Sequence, residues 1–286
     1  MAGVRIIESA IDFRILKISG TTLITLPRSN ITSSIKGYRC GAGPDMLLVH
    51  GVGMNADYWS NLLDELSNNF TVTVIDVPGH GESPLLNKKK PSLQDYSDAI
   101  AATIAEQSIV IGHSMGALIA LDLSVRYPHL TAGIGVLNGI YRRDAKAAVS
   151  IKARVAELCK QAANQTNSDP TDTLARWFGH SPEGIDAEAA ANCKLWLDQV
   201  DLQAYADAYQ AFADADAPSD DLLSGIDKPA LFITGSLEPN STPSMSRAMS
   251  QQIPGSGCVI VDGARHMMSL THASDVVAAL KNIFQE

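Results

Sequence analysis

Residues 108–116 read Ser-Ile-Val-Ile-Gly-His-Ser-Met-Gly. Ile109, Val110 and Ile111 form a short apolar run of the kind buried on both faces of a parallel sheet. The apolar positions that follow, Leu118, Ile119, Leu121, Leu123 and Val125, carry a helical pattern. A strand that passes into a helix within one or two residues forces the corner residue, Ser114, into strained backbone geometry. Its neighbours two before and two after must then be small, and Gly112 and Gly116 meet that need. Such a corner lifts one hydroxyl out of the sheet, beside the positive end of the next helix. A turn that merely contains a serine is the plainer alternative. The strand before it and the helix after it weigh against that alternative.

Working outward, strands alternate with helices on both sides of this corner. Met46–Val49 is a short continuous apolar run, followed by the loop His50-Gly51-Val52-Gly53-Met54-Asn55 and a helix with Tyr58, Trp59, Leu62, Leu63 and Leu66 on one stripe. Thr71–Ile75 is the next strand, and Pro91-Ser92 opens a helix through Leu93, Tyr96, Ile100 and Ile104. Ala132–Leu137 follows the Tyr127-Pro128 stop. Residues 1–30 and Ile31–Cys40 read as antiparallel edge strands. From Tyr141 to about Pro218 only helices are legible: near Lys146–Ala163, over Thr171–Phe178 with Asp169 or Thr171 as cap, through Trp196, and through Tyr205, Tyr209 and Phe212. Strand Ala230–Thr234, a helix near Pro243–Gln252, strand Cys258–Val261 and a helix Ser274–Phe284 then restore the alternation. The pattern predicts an α/β fold with a mostly parallel, doubly wound sheet, antiparallel N-terminal edge strands and an inserted helical block.

Bulk properties narrow the function classes. The 286 residues are 45% hydrophobic and 19% charged, as in an ordinary globular protein. A net charge of −9 speaks against a nucleic-acid partner. Lys88-Lys89-Lys90 reads as a solvated loop. Cys40, Cys159, Cys193 and Cys258 are too widely spaced for a metal or redox motif and suggest a reducing compartment. Arg5, Glu8 and Asp12 interrupt any secretory core, and no stretch is long enough to span a bilayer, so neither membrane nor export is expected and a cytoplasmic location is. His50, His80, His113 and Asp76 lack ligand spacing, so no metal is expected; no phosphate or dinucleotide loop points to a cofactor.

Taken with its flanking elements, Gly112-His113-Ser114-Met115-Gly116 resembles the nucleophile elbow of the α/β-hydrolase fold superfamily, and the chain resembles that family from end to end. The resemblance implies a catalytic triad in the order serine, acid, histidine. His266, in Gly263-Ala264-Arg265-His266 after the last strand, stands at the family's histidine; His272 is a decoy expected to be exposed. The family places an Asp three residues after the glycine that ends the preceding strand; Gly235-Ser236-Leu237-Glu238 departs from that pattern by putting Glu238 there, one methylene longer but still able to orient the imidazole. A second location used in the family holds Asn138, which cannot carry charge, and Asp262 is the fallback. The amides of Val52 and Met115 are the implied oxyanion donors. Gly53 would keep the loop slim for an approaching substrate, while His50 and His113 would brace it. The block 141–218 corresponds to the family's cap, inserted into a core of residues 1–140 and 219–286.

Within the superfamily, the loop His50–Trp59 looks like that of bacterial carboxylesterases, and Leu174–Phe178 with Tyr205–Phe212 is similar to the cap of β-ketoadipate enol-lactonases. This implies a small-molecule ester or lactone substrate. The expected substrate contacts are His50, Gly51, Gly53, Trp177 and Arg176, the last as a carboxylate partner or simply a surface arginine. Carbon–carbon bond hydrolysis by the same triad, or ligand binding with slow turnover, are the alternatives. A homodimer is compatible with the sequence.

Overall fold

The computed structural model describes residues 13–18, 21–167 and 169–285. The charge-broken N-terminus around Arg5, Glu8 and Asp12, and Ser19-Gly20, lie outside the described residues. Strands β1 (Arg14–Ile18) and β2 (Thr21–Thr25) pair antiparallel as a separate ribbon. The main sheet contains β3 (Ser29–Asn30), β4 (Lys36–Cys40), β5 (Asp45–Val49), β6 (Thr71–Ile75), β7 (Ser108–His113), β8 (Thr131–Leu137), β9 (Ala230–Gly235) and β10 (Gly257–Val261). Their order across the sheet is β10-β9-β8-β7-β5-β6-β4-β3, parallel except for β3 and β4. The edge strands are therefore antiparallel as the sequence pattern predicts, but the first ribbon stays out of the sheet.

Every residue of β7 and β9 is buried, which explains the apolar runs Ile109–Ile111 and Ala230–Ile233 within them. The helices between strands are α1 (Ser60–Leu66), α2 (Leu93–Ala101) and α3 (Met115–Arg126). Ser92 caps α2 in a reciprocal arrangement with Asp95. Between β8 and β9 the chain builds only helices: α4 (Ala145–Asn164), α5 (Thr171–Phe178), α6 (Ile185–Gln199), α7 (Leu202–Asp214) and the short α8 (Asp220–Ser224). Asp169, not Thr171, serves the start of α5, accepting from the Thr171 amide at 3.0 Å. Helix α9 (Pro243–Ser250), the turn α10 (Met268–Thr271) and α11 (Ala273–Phe284) complete the chain. Helix α4 packs on α7 and α5 on α6, while α3 lies along β7 and β8. The helical block thus forms its own layer, and the loops at the carboxyl ends of the parallel strands lie beneath part of it. In open α/β sheets that end is where ligands bind.

Candidate active site

Ser114 sits between β7 and α3 at φ +56° and ψ −113°, a conformation that side-chain-bearing residues rarely adopt. The two glycines hold it there. A methyl on Gly112 would drive into the Gly116 carbonyl oxygen, and one on Gly116 into that of Val49. The Ser114 amide anchors to the Leu137 carbonyl at 2.9 Å. Through 108–124 only Ser114 escapes full burial, so the strain presents a single hydroxyl.

His266 follows β10, and Glu238 follows β9. Their segments are stitched together: Leu237 donates to the Ala264 carbonyl at 2.9 Å and Ser236 to that of Val261 at 2.8 Å. Gly235 has no room for a side chain against the Ala264 carbonyl. Glu238 is only 3% exposed. Its Oε2 lies 2.7 Å from His266 Nδ1, and its Oε1 accepts the amides of Asn240 at 2.7 Å and Ser241 at 3.2 Å. Burial alone would raise this carboxyl; the charge and hydrogen bond of His266 with the two amides outweigh it and hold it below the ordinary carboxylate value. A carboxylate on Nδ1 fixes the proton there and leaves Nε2 with its lone pair. Asp262, the fallback acid, points outward to the Ser236 hydroxyl at 3.2 Å and does not contact His266.

His266 is held from three sides. His113 Nε2 and Asn138 Nδ2 both donate to its backbone carbonyl, at 2.9 and 2.7 Å. Its ring lies 4.8 Å from that of His113 and stacks 6.0 Å from Trp177 at an interplanar angle of 19°. Ser114 and His266 open on one cavity of about 590 Å³, shared with Gly51, Val52, Arg176 and Trp177. Among the described residues no hydrogen bond joins Ser114 Oγ to His266, a looseness common in sites without substrate. Met115 is the first residue of α3, so its amide has no acceptor within the helix. The Val52 amide likewise finds no acceptor among the described residues.

Three expectations need correction. His50 is fully buried and spent: Nδ1 donates to the Gly51 carbonyl at 2.8 Å and Nε2 accepts the Val77 amide at 2.9 Å. It braces two loops and does not contact the cavity. Burial, then the neighbouring His80, push its pKa down to about 3. Gly53 faces away from Ser114, toward Trp196; a side chain there would meet Leu197 and Tyr205, so its smallness admits the helical block, not substrate. His272 is half-buried at the junction of α10 and α11, with Nδ1 2.9 Å from Thr271 Oγ1, and is not the exposed group expected. Phe178 and Trp196 are buried in the core.

Two residues that the sequence did not single out also line the cavity, Arg143 and Arg154, as does Tyr209 of the helix stripe. The signal was available for Arg154, which shares one stripe of α4 with Ala147 and Ile151 at i, i+4 and i+7. Among the described residues, no three His, Cys, Asp or Glu side chains gather as a metal site, and no helix is long and apolar enough to cross a membrane.

A family model for the alpha/beta hydrolase family matches residues 46–280. The chain is 36% identical over 245 residues to the (E)-2-((N-methylformamido)methylene)succinate hydrolase of Acinetobacter baylyi, covering 84% of this chain and 90% of that one. It is 24% identical over 276 residues to a pimeloyl-[acyl-carrier protein] methyl ester esterase of Aeromonas hydrophila, covering 87% and 98%. The fold matches the enol-lactonase of Burkholderia xenovorans with a TM-score of 0.74 at 22% identity, over 91% of this chain and all of that one. The chain belongs to the alpha/beta hydrolase family, and it is an enzyme acting on ester or related bonds.

Proposed function

We propose that the chain is a serine hydrolase of a small carboxylic ester or lactone, working through Ser114, His266 and Glu238. The observation that carries this reading is the buried Glu238–His266 pair at 2.7 Å, opening on the same cavity as the strained Ser114. Ser114 Oγ attacks the carbonyl carbon as His266 Nε2 takes its proton, and Glu238 stabilises the imidazolium that results. The amides of Val52 and Met115 receive the developing oxyanion. Collapse expels the alcohol, protonated by His266, and a water activated by the same imidazole then releases the acid. Nucleophile, base, acid and donors all belong to the chain, so the reaction calls on no cofactor. Residues 141–218 act as a cap on a core of 1–140 and 219–286, contributing Trp177 to the cavity wall. Free cysteines fit a cytoplasmic setting.

The relatives' names, a hydrolase of a substituted succinate, an esterase of a pimeloyl-[acyl-carrier protein] methyl ester and an enol-lactonase, support hydrolysis of ester or related bonds without choosing the substrate. The test is a fluorophosphonate label with peptide mapping, alongside hydrolysis of p-nitrophenyl butyrate. Modification of Ser114 alone, with turnover lost in Ser114→Ala, is expected. A label elsewhere, or none on the folded protein, overturns the mechanism. Loss of a dienone chromophore without ester turnover would favour carbon–carbon bond hydrolysis instead.

A further inference from the structure

Four cations and one carboxylate line the cavity above Ser114. Arg143, Lys146 and Arg154 line it from α4 and the segment before it, and Arg176 from α5. Asp144 is the only carboxylate in the lining, and its Oδ1 is occupied by the Ala147 amide at 2.7 Å as the cap of α4. Among the described residues none of these four cations has a carboxylate within 4.0 Å. The chain has 31 acidic residues against 22 basic ones.

The four cations are not equivalent. The Arg143 guanidinium donates to the backbone carbonyls of Ala215 and Phe212 and lies 4.6 Å from the Phe212 ring centroid, so it ties α4 to α7. Lys146 is exposed at the rim. Arg154 is half-buried, and its Nε is shut off from water without a hydrogen-bond partner. Arg176 donates to Thr173 Oγ1 at 3.0 Å, leaving further N–H groups of its fork free. Arg154 and Arg176 both line this one cavity, from α4 and from α5. The other N–H groups of the Arg154 fork, with the free ones of Arg176, are the donors that an oxygen anion entering the cavity would meet.

We propose that Arg154 and Arg176 bind a carboxylate on the substrate, so that the substrate class is a small ester or lactone bearing a free carboxylate. This rests on the serine-hydrolase reading for the bond that is cleaved, though not for the binding itself. Guanidinium forks match the two oxygens of a carboxylate and hold it in one orientation, which would set the carbonyl carbon over Ser114.

The test begins with binding. Glutarate titrated calorimetrically into the full chain should bind, and the affinity should fall at least about tenfold in Arg154→Met and in Arg176→Met, each checked for folding by circular dichroism. If Arg154→Met does not fold, Arg154→Lys keeps charge and stem, loses the fork, and should still weaken binding. Equal affinity in wild type and variants overturns the proposal, and inorganic phosphate competing as well as glutarate overturns the carboxylate assignment. The kinetic arm compares mono-p-nitrophenyl glutarate with p-nitrophenyl pentanoate, which differ in the terminal carboxylate, after subtraction of the enzyme-free rate. The ratio of their kcat/KM values should drop about 10- to 100-fold in either variant, chiefly through KM. An unchanged ratio overturns the proposal. Arginine-dependent glutarate binding with neither ester cleaved would uphold the carboxylate site and sink the hydrolase reading.

Discussion

The floor of the cavity and its roof are built on different terms. On the floor, His266 is fixed by several contacts at once: its carbonyl takes two donors, its Nδ1 meets a buried carboxylate, and its ring meets those of His113 and Trp177. The roof is looser. Of the twenty residues of α4 only Val155, Leu158 and Ala162 are buried, and Arg176 on α5 is exposed. Bond-making chemistry loses rate steeply when a group moves by an ångström, whereas long side chains that recognise a charge reach it from several backbone positions. Substitutions on the floor should therefore cost rate, and those on the roof should change preference.

The sharpest division comes from Ser114→Ala, which should abolish burst and turnover alike, with a loss on the order of 10⁵-fold or more in kcat. Glu238→Gln should follow with about 10²- to 10⁴-fold in kcat and little change in KM, measured on the same ester. The amide keeps the shape and can still accept from Asn240 and Ser241, but it no longer stabilises the imidazolium or enforces the Nδ1 proton. Asp262→Asn should leave kcat within about twofold, since that carboxylate meets only a serine hydroxyl. If Asp262→Asn cost more than Glu238→Gln, the floor described here would be wrong.

Next in size is a stability effect confined to the floor. Gly112→Ala forces a methyl toward the Gly116 carbonyl, backbone against backbone, where no rotamer offers relief. A loss of about 3 kcal/mol, on the scale of severe overpacking, should appear as a lower urea midpoint. Gly184→Ala, on the roof at the start of α6, meets nothing within 4 Å and should cost only the strain of its φ of +54°, about 1–2 kcal/mol.

Acid should weaken the floor in two stages. Burial, the largest cause in each case, keeps the imidazoles of His50, His80 and His113 neutral, with His50 pushed down to about 3. In the unfolded chain these rings take up a proton near their ordinary value of 6.5, which the folded chain refuses. The unfolded state then binds more protons, so their contribution is complete above about pH 6.5 and declines as pH falls. Each ring adds a slope of at most about 1.4 kcal/mol per pH unit. Glu238 acts lower: its folded pKa is depressed, so its stabilisation is full above the ordinary value of 4.5 and is lost as pH drops through the folded one. Urea midpoints at pH 7, 6 and 5 should decrease steadily; a flat response would deny that the three rings are held neutral.

How much of this was legible depends on what kind of constraint a residue is under. The elbow was readable because backbone sterics act over five residues and demand glycine at both flanks. Glu238 was readable because a strand-ending glycine marks its position. Gly53 was misread because a missing side chain says that something approaches, not what; here it is Leu197 and Tyr205, from elements far along the chain. His50 looked available to substrate because its sequence neighbours are, yet the Val77 amide 27 residues away claims its free nitrogen. The two donors to the His266 carbonyl lie 128 and 153 residues distant, and nothing in local pattern couples them. The stripe of α4 that includes Arg154 was visible as a helix face, but only the packing of α4 on α7 shows that it looks into the cavity.

The smallest effect probes redundancy on the floor. Asn138 stands at φ +49°, so alanine there would mix lost bonding with backbone strain; Asn138→Gly removes the side chain without strain. Its Nδ2 is one of two donors to the His266 carbonyl, and His113 would keep the other. The Oδ1 of the same amide is buried without a partner, so the substitution also removes an unsatisfied oxygen and part of the loss is offset. A net cost of about 1 kcal/mol and a few-fold drop in kcat are expected, read from urea midpoints and steady-state rates. Were Asn138→Gly instead to rival Glu238→Gln in kcat with stability intact, His113 could not hold the loop alone. The firmness of the floor would then rest on one amide, and its contrast with the roof would narrow to a single hydrogen bond.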